Sequence, residues 1–152
     1  MGLLNSSSAT AVTRALMRRD LYWFVVRVFM TVDASQPFLP NWHIKLVCDW
    51  LMLTVNGNLN RFIVTLPPRN LKSICVSVAL PAFILGQDPT ARIICVSYSD
   101  DLARKFARDC RKVMESKWYR LLFPDTHLSK RRSATNDFET TRGGGRFTTS
   151  IG

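Results

Sequence analysis

The stretch RFIVTLPPRNLKSICVS, residues 61–77, decides how this chain is read. Residues 61–66 predict a buried strand, a Pro-Pro-Arg-Asn turn follows, and Lys72-Ser73 open a second apolar segment. That is the layout of a loop that grips phosphate. Backbone N–H groups and a helix N-terminus converge on an anion, a Lys reaches the β- and γ-phosphates, and the next hydroxyl coordinates Mg²⁺. The pattern G-x-x-x-x-G-K-[ST] has glycines where this chain has Leu66 and Leu71. A Leu before the Lys is compatible with a loop that needs no positive φ there, or with one that tolerates the strain.

Working outward, RIICVSYS (residues 92–99) reads as a second strand. Between the two, residues 72–85 predict a helix kinked near Pro81 and ended by Gly86. Strand, helix, strand is a βαβ unit, which implies a parallel pair. Ser99 is an N-cap candidate for the next helix, with Asp100 and Asp101 in its first turn and Leu102, Phe106, Cys110 and Val113 as its apolar stripe. Its cations Arg104, Lys105, Arg108, Arg111 and Lys112 lie off that stripe, with Asp100–Arg104 and Asp101–Lys105 at i,i+4 spacing. Upstream, WHIKLVCDWLMLTVNG predicts a helix with Ile44, Val47, Trp50 and Leu51 on one face, stopped at Asn56-Gly57. Residues 14–32, after a Ser/Ala/Thr-rich lead-in, have the apolar spacing of one more helix, with a strand as the alternative because of their β-branched residues. Pro37 and Pro40 mark a loop. PDTHLSKRRSATND reads as a basic loop, and FETTRGGGRFTTSIG as a hairpin turning at Gly143-Gly144-Gly145.

Of the 152 residues, 47% are hydrophobic, enough to bury a core and to argue against disorder. A net charge of +10 favours polyanionic partners, DNA, RNA or nucleotide phosphate among them. The cations concentrate around Arg104, Arg108 and Lys130-Arg131-Arg132, which are the candidate DNA contacts. Cys48, Cys75, Cys95 and Cys110 stand singly in apolar segments, a pattern for reduced, buried thiols in a cytosolic protein rather than a disulfide frame or zinc site. The apolar run LYWFVVRVFMTV is too short to span a bilayer, and the N-terminus lacks the features of a signal peptide. No membrane partner is expected.

LPPRNLKS, with FLPNWHIKLVCDWL before it and RIICVSYSDDLARKFARDCRKVMES after it, resembles the N-terminal ATPase portion of phage terminase large subunits. WYRLLFPDT and FETTRGGGRFTTSIG follow in the same order as in that family, so the resemblance runs over residues 38–152. The family's loop usually reads Pro-Pro-Arg-x-Gly-Lys-Ser, from which Leu71 departs. The resemblance implies an α/β fold, a P-loop NTPase-type three-layer sandwich, here incomplete: the N-terminal part of the parallel sheet, its flanking helices and a β-hairpin. It divides the chain into a helical lead-in, residues 1–36, and a partial ATPase domain, residues 37–152.

The implied activity is ATP hydrolysis coupled to packaging of double-stranded DNA, with ATP and Mg²⁺ as cofactors. The implied partners are the portal protein, the small subunit and further copies of the chain, in the bacterial cytoplasm. By the motif, Lys72 binds the β- and γ-phosphates, Ser73 the Mg²⁺, and Arg69 meets the γ-phosphate, with Pro68, Asn70, Leu71 and Ile74 completing the loop. Trp42 and His43 fall where the family has its adenine-side motif, Trp42 to stack on the base and His43 to hydrogen-bond it; packing roles are the stronger explanation of both.

Hydrolysis in this class also needs an apolar strand ending in Asp, followed by an acid that activates water. No such strand occurs in these residues, and the expectation is nucleotide binding without turnover by this chain alone. A basic, non-enzymatic nucleic-acid-binding module and a decayed prophage remnant are the alternatives.

Overall fold

The computed structural model describes residues 6–133 and 137–151. Helices come first: α1 (Ser6–Arg19), α2 (Leu21–Val32) and α3 (Trp42–Val55). The single helix expected over residues 14–32 is two. Asp20 has extended backbone, φ −121°, and its carboxylate accepts from the Tyr22 N–H at 2.8 Å, so it caps α2 instead of continuing α1. Leu21, Phe24, Val25 and Val28 follow at i, i+3, i+4 and i+7 and are fully buried, which puts α2 at the centre of the core. Phe24 meets Phe83, Trp118 and Tyr119 edge-on at centroid distances of 5.3–6.2 Å.

On α3 the buried stripe is Ile44, Val47, Cys48 and Leu51. Trp50, expected on that face, is 43% exposed and stacks on Phe62 at 5.8 Å. Gly57, at φ +74°, takes the left-handed position that ends the segment.

The expected strand over residues 61–66 does not form. Phe62, Val64 and Leu66 turn toward the core while Ile63 is 90% exposed, a strand-like alternation, yet no ladder partner pairs with these residues. From Lys72 the chain is helical through Gln87. Its middle, Ile74–Ala79, is π-helical, and α4 (Leu80–Gln87) carries Pro81 in its first turn. Pro81 does not end the helix, because a wider turn precedes it.

Four strands form one mixed sheet in the order β1-β4-β3-β2: β1 (Arg92–Ser97), β2 (Leu128–Ser133), β3 (Phe138–Thr140) and β4 (Gly145–Ser150). The parallel partner of β1 is β4, in register from Arg92↔Gly145 to Ser97↔Ser150, and not the segment at 61–66. Backbone geometry selects that partner. Gly144 donates to the Pro89 carbonyl at 3.2 Å and Gly145 to the Ala91 carbonyl at 2.8 Å, which seats β4 beside the entry to β1. A Cβ on Gly144 would lie 2.5 Å from those carbonyl oxygens, so the glycine triplet serves close backbone packing as well as the expected hairpin turn. Residues 128–133, expected in a loop, form β2 and pair antiparallel with β3.

Between β1 and β2 lie α5 (Asp100–Glu115) and α6 (Lys117–Leu122). Ser99 caps α5 as expected, accepting from the Leu102 N–H at 3.3 Å. The buried stripe of α5 is Ala103, Ala107, Cys110, Val113 and Met114, a register in which Leu102 and Phe106 are only half-buried. Asp100–Arg104 pairs at 3.4 Å, whereas Lys105 turns forward to Asp109 at 2.9 Å rather than back to Asp101. Helix α5 covers one face of the β1–β4 pair. On the opposite face Ile94, Val96 and Tyr98 are 72%, 55% and 74% exposed, so the described residues supply two layers, one of helices and one of sheet. No described helix is long and apolar enough to cross a membrane.

Candidate functional site

The loop between residue 66 and the helix contains the least ordinary backbone among the described residues. Arg69 and Leu71 are its two non-glycine residues of positive φ, at +66° and +56°, among those described. Both lie in the left-handed region, which costs an L-residue about 1–2 kcal/mol. Leu71 therefore adopts the conformation that a glycine would supply freely, so of the two options left open at residue 71 the chain takes strain. Asn70 holds the turn between them, its side-chain amide donating to the Pro67 and Pro68 carbonyls at 3.1 and 3.3 Å. The Leu71 side chain packs on the core, and its carbonyl accepts from the Cys75 N–H at 2.9 Å, starting the helix.

Lys72 and Ser73, in the first turn, open onto a cleft of about 380 Å³. Val76 and Ser77 continue its wall one turn later, Phe62 and Val64 form a second wall, and Leu51 and Thr54 of α3 a third. The arrangement offers one ammonium and three hydroxyls over an apolar floor, a chemistry suited to phosphate oxygens. The lining contains no carboxylate. Among the described residues no group of three or more His, Cys, Asp or Glu could hold a metal ion. Ser73 is the residue of the motif that would offer an oxygen to a Mg²⁺ there.

Other expected residues are placed elsewhere. Pro68, Arg69 and Asn70 form the turn above Lys72 but do not line the cleft, and Ile74 begins the π-helical stretch. Trp42 is 76% exposed and His43 half-buried, with a T-shaped contact at 6.2 Å between them. They open α3, whereas the cleft uses its other end; Trp42 and Thr54 are separated by roughly 18 Å along the helix axis. His43 Nε2 is buried and meets no partner among the described residues.

Arg104 and Arg108 are exposed on α5, and Arg104 is occupied by Asp100. Lys130 instead joins a second groove of about 410 Å³ with Arg111, Arg120 and His127. The side chains of Arg131 and Arg132, on the adjoining strand β2, lie outside the described residues.

All four cysteines are free thiols. Cys75, three residues after Lys72, is buried against Cys48 of α3; their mutual hydrogen bond and burial push the Cys48 thiol well up. Sequence reasoning missed Thr54, Ser77, Phe62 and Val64 as cleft walls, because a cleft between three segments leaves no local pattern. It also missed Arg146, whose setting is described below. No family model matches the chain, and no curated protein or solved structure is significantly similar to it.

Proposed function

We propose that this chain binds nucleotide phosphate through residues 66–73, as the N-terminal ATPase portion of a terminase-like packaging motor built on a P-loop NTPase fold. One observation carries the reading: Arg69 and Leu71 hold left-handed backbone immediately before Lys72-Ser73. Strain of this kind persists where surroundings over-determine it, and it concentrates at ligand clamps. A left-handed Leu71 followed by helical Lys72 turns successive N–H groups toward one concavity, the geometry that receives anions. Lys72 and Ser73 at the mouth of one cleft, at the start of a helical segment running to Gln87, add charge and dipole of the right sign.

Lys72 would neutralise the β- and γ-phosphates, Arg69 would bring its guanidinium to the γ-phosphate, and the Ser73 hydroxyl would help hold a Mg²⁺, whose chemistry would be charge neutralisation. The cleft carries no carboxylate to activate water, so the chain is expected to bind without turnover. The resemblance of residues 38–152 to terminase large subunits supports double-stranded DNA, a portal protein, a small subunit and self-association as partners, and the bacterial cytoplasm as location. Calorimetric titration with Mg-ATP tests the reading. Lys72→Ala should weaken binding at least about tenfold, or 1.4 kcal/mol. Equal affinity of the two proteins would remove it.

A second reading is favoured by the groove where Arg111, Arg120, His127 and Lys130 converge from α5, α6, the following loop and β2. As a non-enzymatic nucleic-acid-binding module, the chain would bind DNA with steep salt dependence that Lys72→Ala leaves unchanged.

A further inference from the structure

Arg146 on β4 is 1% exposed, and its guanidinium lies on the helix-facing side of the sheet. No Asp or Glu among the described residues is within ion-pair distance of it. Its contacts are neutral: Nη1 donates to the Thr148 hydroxyl, Nη2 donates to the Ser77 carbonyl at 3.3 Å, and Nε meets no acceptor. The thiols of Cys95 and Cys110 lie nearby, and burial pushes both up, Cys110 to about 12, so neither is an anionic counter-charge. A buried cation satisfied only by neutral groups is a poor stabiliser beside an apolar side chain of similar volume.

The contact with Ser77 explains what the guanidinium does there. Pro81 has no N–H, and Ser77 holds the carbonyl that an α-helix would pair with residue 81. Arg146 takes that acceptor in the middle of the π-helical stretch Ile74–Ala79. Ser77 also lines the cleft with Lys72 and Ser73. Strand β4 is thereby joined, through one side chain, to the helix that presents the loop.

We propose that Arg146 is a positioning residue: by holding the Ser77 carbonyl it sets the π-helical segment against the sheet and keeps Lys72 and Ser73 in phosphate-binding geometry. This rests on the phosphate-loop reading of the cleft. The test compares wild type, Arg146→Met, Arg146→Lys and Lys72→Ala by thermal melting, Mg-ATP titration and hydrogen exchange of the peptide covering residues 72–81.

Arg146→Met should keep or raise the melting temperature, yet lose at least tenfold in Mg-ATP affinity and exchange at least tenfold faster over residues 72–81. Arg146→Lys, which retains a donor for Ser77, should recover part of both. If Lys72→Ala loses binding while Arg146→Met binds as wild type does, the positioning role is overturned and the nucleotide reading stands. If Lys72→Ala binds like wild type, the nucleotide reading falls, and exchange over residues 72–81 decides alone: unchanged exchange in both Arg146 variants overturns the clamp. Should Arg146→Met fail to fold, Arg146→Lys carries the comparison.

Discussion

Arg69 separates stability from binding more cleanly than any other residue of the loop. Its side chain is exposed and its φ is +66°, so glycine there relieves strain without opening a cavity. Arg69→Gly should raise unfolding free energy by about 1 kcal/mol, measured by denaturant titration, while weakening Mg-ATP binding. Leu71→Gly should give a smaller gain, because the relief is offset by lost packing of the Leu71 side chain against the core. At the far end of the sheet, the Ser150 hydroxyl donates to the Asp100 carboxylate and, with Arg104, holds it below the usual carboxylate range. A depressed folded pKa gives stability that is fully present above the unfolded value and lost as pH falls through the folded one. Ser150→Ala should therefore lower stability slightly at neutral pH, and its difference from wild type should fade as pH falls below about 4, which flattens the acid limb.

The elements divide by how local their causes are. Helix α5 was legible because its signals are contiguous: Ser99 caps it, Asp100 and Asp101 follow, and its apolar residues recur at helical spacing. Ser99→Ala should cost about 1 kcal/mol, seen as a lower urea midpoint at unchanged slope. The break at Asp20 was legible in principle, since the cap is a side-chain bond two residues long. The segment at 61–66 was not. Its composition is that of a strand, but a strand exists only with a neighbour, and β1 takes β4 through backbone contacts of Gly144 and Gly145 that periodicity does not encode. The site divides in the same way. Lys72 and Ser73 were legible from loop chemistry, while Ser77, Thr54 and Arg146 reach the cleft or its supporting helix only through tertiary packing.

Across the whole molecule, helices α2–α6 and the π-helical segment close around Phe24, whose ring contacts reach α4, α6 and Phe123. Phe24→Ala should cost about 3–5 kcal/mol and remove cooperative unfolding under mild denaturant. The sheet contributes far less to that closure on its open side. Ile94→Lys on the exposed face should change stability by no more than about 0.5 kcal/mol while improving solubility. The central proposal is that the strained turn before Lys72 is a phosphate clamp. Titration of wild type and Lys72→Ala with Mg-ATP, at a temperature where both are folded, tests it most directly. Binding by wild type that Lys72→Ala reduces at least tenfold is the result predicted; identical isotherms, or no binding by either protein, would contradict it.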